Sequence, residues 1–183
     1  MHLRELMAAL EHWDAAGVWA FSSNTLKLLF PGDGRARLKA LSAHQSAGLI
    51  VRVARGLYIN PRARCLPDDL LAALVPFLRP WDLNYLSMES VLSEADWISQ
   101  IPSRLTLMTT GRSQTFQTPY GTLEFVHTAR QISDLRPYLN WDERRSIWAA
   151  TPDCALRDLR RVGRNLDLVT DLSQEPYKHA YTK

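Results

Sequence analysis

Residues 38–60 read Leu-Lys-Ala-Leu-Ser-Ala-His-Gln-Ser-Ala-Gly-Leu-Ile-Val-Arg-Val-Ala-Arg-Gly-Leu-Tyr-Ile-Asn. The first ten continue a helical stretch, and Gly48 stops it in the manner of a C-terminal cap. Over 49–54, Ile50, Arg52 and Ala54 alternate with Leu49, Val51 and Val53, the period of a strand with one apolar face. Arg55-Gly56 makes a hairpin turn and residues 57–60 return. A helix that ends on glycine and passes at once into a short hairpin, with arginines along it, predicts the working end of a winged helix-turn-helix. DNA is then the leading partner.

Upstream residues complete such a domain. Leu3, Leu6, Met7, Leu10, Trp13 and Ala16 recur at three- and four-residue spacing, one face of a helix ending near Gly17. Phe21-Ser22-Ser23 follows, where a serine caps a second helix over 24–30. Pro31-Gly32-Asp33-Gly34 is a dense turn signal. A third helix spans 35–47, with Ala36, Leu38, Leu41 and Ala43 toward the core. Arg35, Arg37, Lys39, Ser42, His44 and Gln45 lie off that stripe and are candidate DNA contacts. Arginine pairs bidentately with guanine and glutamine with adenine. Arg52 and Arg55 sit on the wing, placed for phosphate or a narrow groove. Ser23 serves either as a helix cap or as a phosphate contact at the second helix. His44 reads equally as a solvated surface histidine, Tyr58 reads as packing under the wing, and Arg62 and Arg64 as linker or phosphate contacts.

Charge is placed unevenly. Residues 1–64 hold nine Lys/Arg against four Asp/Glu, whereas 65–183 hold thirteen against fifteen. A basic N-terminal module on a slightly acidic body fits phosphate binding by one end. The two cysteines, Cys65 and Cys154, have no metal-site spacing and read as free thiols. The charged, helically spaced start is not that of a signal peptide. No apolar run approaches the ~18 residues that span a bilayer, so a cytoplasmic protein is expected.

Pro61 to Pro67 reads as a linker, which divides the chain into a DNA-binding domain, 1–62, and a second domain, 66–183. In the second, a helix is predicted over 68–78, and another over 88–96 capped by Ser87. A strand is predicted over 104–109, and a hairpin over 115–128 turning at Pro119-Tyr120-Gly121. A helix over 153–162 opens on Thr151-Pro152, and the tail from Ser173 reads as extended. Overall the class is α+β: an N-terminal winged helix-turn-helix followed by a small mixed α/β domain. Arg157, Arg160, Arg161 and Arg164 share one side of the last helix by spacing. They form either a second surface for nucleic acid or an acidic partner, or a solvated face balanced by Asp153 and Asp158. No catalytic set, metal-ligand cluster or phosphate-binding glycine loop stands out, so neither an enzyme nor a cofactor is expected.

Three segments of the second half are more telling together: Tyr85-Leu-Ser-Met-Glu-Ser-Val-Leu-Ser-Glu94, Thr109-Thr-Gly-Arg-Ser113 with Thr118-Pro-Tyr-Gly-Thr-Leu-Glu-Phe125, and Ala150-Thr-Pro-Asp-Cys-Ala-Leu-Arg-Asp-Leu159. With the hairpin Val53-Ala-Arg-Gly-Leu-Tyr58 they resemble the AbiEi family, the antitoxins and transcriptional repressors of type IV abortive-infection toxin–antitoxin systems used in phage defence. The resemblance runs from about Phe21 to Leu159. It implies an N-terminal domain that binds inverted repeats in the promoter of its own operon and represses it. It also implies a C-terminal domain that counteracts a nucleotidyltransferase toxin, with no stable complex required. The chain departs from longer relatives in having little helical sequence beyond Val169, and the family supplies no catalytic residue to carry over. The competing readings are a winged-helix module that binds a protein, and a transcriptional regulator without antitoxin activity.

Overall fold

The computed structural model describes residues 2–169; the reading of the tail from Ser173 lies outside them. The architecture is mixed α+β with two sheets, one of three strands and one of six. The chain divides into two compact units, 2–80 with 116–122 and 81–115 with 123–169 among the described residues. Among these, no helix is long and apolar enough to cross a membrane.

The first unit opens with α1 (Leu3–Ala15), which buries Leu6 and Leu10. β1 (Ala20–Ser22) leads directly into α2 (Ser23–Leu29), and α3 (Gly34–Ser46) follows a short turn. β2 (Val51–Ala54) and β3 (Leu57–Ile59) form the expected hairpin. β1, which alternation over three residues is too short to announce, pairs antiparallel with β3, so the sheet runs β1-β3-β2. Leu6, Leu10, Phe21, Leu26, Leu41, Ile50 and Tyr58 make one core, with Met7, Trp13 and Phe30 packed against it. Tyr58 is buried, its ring stacked on Phe21 with centroids 6.3 Å apart.

Residues 61–80 belong to this unit rather than to a free linker. Asp14 Oδ1 accepts the Cys65 amide at 3.1 Å, tying the segment to α1. Trp19 meets Phe77 edge-to-face at 5.2 Å. The single helix expected over 68–78 is two short ones, α4 (Leu70–Ala73) and α5 (Val75–Leu78). Pro76 lacks the N–H that would bond Ala72, so the helix breaks and restarts.

The second sheet has the order β6-β7-β5-β4-β9-β8, where β4 is Asn84–Leu86, β5 Arg104–Thr109, β6 Gln114–Thr118, β7 Gly121–His127, β8 Leu139–Asp142 and β9 Ile147–Ala150. β4 pairs antiparallel with β5 and parallel with β9. The hairpin of β6 and β7 was legible; β4, β8 and β9 are three to four residues long and were not. Helices α6 (Glu89–Glu94), α7 (Ile132–Leu135) and α8 (Pro152–Val162) belong to the second unit. Thr151 caps α8 and Gly163 ends it in the left-handed conformation. Ser87 does not cap α6. Met88 takes that position at φ 52°, ψ −133°, and the Ser87 hydroxyl instead donates to Asp158 Oδ2 at 2.8 Å.

Asp158, read from sequence as a solvent-facing balancing charge, is 1% exposed. Besides Ser87, it accepts from the Tyr85 hydroxyl at 3.1 Å and from Arg130 at 3.3 Å. A second buried carboxylate, Glu89, is held by Arg164 Nε at 2.9 Å and Asn165 Nδ2 at 2.7 Å. Burial pushes the Glu89 carboxyl up, but those hydrogen bonds and one from backbone outweigh it and leave the group below its ordinary 4.5. A carboxyl lowered on folding adds stability above its unfolded value, and that part is lost as pH falls through the lower folded value. Urea midpoints at pH 6 and pH 3 will therefore differ more for the wild type than for Glu89→Gln. Equal acid losses in the two proteins would show that the charge on Glu89 contributes nothing.

Candidate nucleic-acid interface

Asp33 starts α3 by accepting the amides of Arg35 and Ala36 at 3.1 and 3.2 Å, the Asx cap that an N-terminus needs. From there the helix is phased differently from the sequence reading. The stripe turned inward is Arg37, Ala40, Leu41 and His44, with Leu41 3% exposed. Its 37/40/41/44 spacing is that of a helix face, but two of its members are polar and so hid it. Ala36, Leu38 and Ala43, expected in the core, are exposed. The outward face carries Arg35, Leu38, Lys39, Ser42 and Gln45.

Two of the candidate residues on α3, Arg37 and His44, therefore face inward. The Arg37 guanidinium donates to the carbonyls of Phe30 and Gly32 at 3.3 and 3.5 Å, pinning the turn between α2 and α3. His44 is half-buried, its Nε2 enclosed without a hydrogen-bond partner. Arg35, Lys39, Ser42 and Gln45 stay on the accessible side. On the hairpin, Arg52 and Arg55 are exposed. Arg52 Nε donates to the Ala54 carbonyl at 3.3 Å, across the irregular pairing between Arg52 and Ala54.

Ser23 has a part that spacing did not show. Ser22, not Ser23, caps α2, its hydroxyl accepting the Thr25 amide at 3.1 Å. The Ser23 amide donates to the Gly56 carbonyl at 2.7 Å and so is not open to a phosphate. That bond fastens the hairpin turn to the start of α2. Gly56 has φ +76°, and a Cβ there would stand 3.1 Å from Ser23 Oγ. Gly56→Ala is expected to cost about 1–2 kcal/mol, because an L-residue is strained in that region and the approach is tight. A urea midpoint equal to that of the wild type would overturn this expectation.

Ser23 also lines a cleft of about 430 Å³ between α2 and α3, with Lys27, Asp33, Arg35, Leu38 and Leu41 on its walls. Arg55, next to Gly56, is thus joined through one backbone bond to a cleft that carries Lys27, Arg35 and Arg37. Asp33 is the one acidic residue on it, and its oxygens serve the α3 cap. Lys27, in the last turn of α2, was absent from the sequence reading. Its signal was a lone cation at the exposed end of a short helix.

The four arginines expected on one side of α8 are dispersed. Arg157 lies over the Tyr138 ring at 4.2 Å. Arg164 falls beyond Gly163 and pairs with Glu89 and Glu124 at 2.9 and 2.7 Å. Arg160 and Arg161 remain exposed. No protein-family model and no curated protein matches this chain.

Proposed function

We propose that the first unit is a winged helix-turn-helix that binds double-stranded DNA through α3 and the β2–β3 hairpin. The protein is then an autoregulating antitoxin of the AbiEi kind, which represses its own operon and counteracts a nucleotidyltransferase toxin. The observation that carries the DNA reading is the 2.7 Å bond from Ser23 to Gly56. It draws the Arg55 turn toward the α2/α3 cleft, so hairpin and helix offer their cations at one end. Lys27, Arg35, Lys39, Arg52 and Arg55 are all exposed, and Lys27 and Arg35 line the cleft itself. Such a face neutralises phosphates, and the helix edge carrying Ser42 and Gln45 has donors and acceptors for base edges. The antitoxin part rests on the sequence resemblance.

The test of the DNA reading is binding of the full chain to duplexes tiling the DNA upstream of its own gene, across a salt series. Phosphate-driven binding weakens steeply with salt, by about 0.9 in log K per log unit of salt for each phosphate neutralised. Absence of binding at low salt sinks the DNA reading. For the antitoxin part, co-expression with the product of the neighbouring toxin gene should restore growth, and no restoration would leave a stand-alone regulator. One observation favours the protein-binding alternative: Leu28 on α2 is 82% exposed. A salt-insensitive partner that no longer binds Leu28→Ser would support it.

A further inference from the structure

Leu38 stands 66% exposed on the outward face of α3, where water gives a leucine no reward. At about 100° per residue, Leu38 shares the α2-facing shoulder of the helix with Gln45, just outside buried Leu41. It lines the same cleft as Lys27 and Arg35, and Lys39 follows it in sequence. An apolar protein surface docking here would strip three cations of water, which is costly without paired charges. The major groove of DNA meets both demands at once. Its phosphates pair with the cations, and its floor carries one apolar group, the thymine 5-methyl. We infer, on the DNA reading above, that Leu38 is a specificity-determining residue that recognises thymine through its methyl group. Arg35, one turn before it, and Gln45, two turns after it on the same helix, supply polar contacts to other bases.

The experiment uses the duplexes that tile the protein's own upstream DNA, each prepared with thymine or with deoxyuridine throughout, which removes only the methyl groups. The wild type is expected to bind the bound duplex about threefold to fivefold more weakly per contacted methyl when uracil replaces thymine. Leu38→Ala binds both forms equally. Leu38→Val, which keeps part of the apolar surface, falls between and carries the comparison if the alanine variant binds too weakly to titrate. Unchanged thermal midpoints in both variants are expected, because the side chain is outside the core. If the wild type shows no uracil penalty, or Leu38→Ala shows the same penalty as the wild type, Leu38 does not read thymine, although the DNA reading stands. If no duplex is bound at all, the DNA reading fails and takes this inference with it.

Discussion

Replacing Asp158 by alanine will cost the second unit about 3–5 kcal/mol, the usual penalty for removing one partner of a buried ion pair. The carboxylate is 1% exposed and receives three side chains: Tyr85 and Ser87 from around β4, and Arg130. Without it, the Arg130 guanidinium keeps its charge with no counterion, and two enclosed hydroxyls are left without their acceptor. Since a domain of this size holds only about 5–15 kcal/mol in total, much of its stability goes. Urea titration followed by tryptophan fluorescence reads this out. The matching control is Asp158→Ala with Arg130→Met, which removes both charges and should recover part of the loss. A cost under about 1 kcal/mol for the single variant would show that the network is not what holds α8 against the sheet.

The second large effect divides the basic residues of α3 by what they do. Arg35→Ala with Lys39→Ala is expected to leave the thermal midpoint unchanged, as both side chains are exposed. On the proposed DNA reading, it should lower the salt slope of binding by about 1 for each phosphate that is no longer neutralised, and affinity at low salt by at least tenfold. Arg37→Ala should do the reverse. Its hydrogen bonds to Phe30 and Gly32 fix the α2–α3 turn, so the loss is stability, about 1–3 kcal/mol for hydrogen bonds from a charged group. On the same reading, its effect on DNA binding is expected only through folding. Equal behaviour of the two variants would erase the distinction between the inward and outward faces of α3.

That distinction is where sequence reasoning and structure part. Apart from β1, the order of elements through Ile59 was legible because its signals are local: spaced leucines in α1, a dense turn at 31–34, and a glycine followed by alternation at 48–56. The phase of α3 was not. With one buried leucine, its inward face is completed by Arg37 and His44, and polar residues on an inner face mimic an outer one. Leu38, one of two leucines on the helix, was assigned to the core for the same reason. Ser23 was singled out correctly as a residue at a helix start, but its backbone partner, Gly56, lies thirty-three residues away.

The six-stranded sheet and α8 show the same division. The hairpin over 114–127 and α8 carry strong local patterns, with Thr151 and Gly163 at the ends of the helix. β4, β8 and β9 are each too short to establish a period, and each exists because a neighbour completes its hydrogen bonds.

By itself the sequence determined a mixed α and β chain, a basic first third, and a helix running through a glycine stop into a hairpin. These follow from periodicity, capping and charge, which act over a few residues. Only the tertiary structure decided which arginines are free and which hold a turn, which serine caps and which one fastens the hairpin, and that Asp158 is an enclosed counterion. Those outcomes depend on desolvation and on partners distant in sequence, and neither leaves a mark in local spacing.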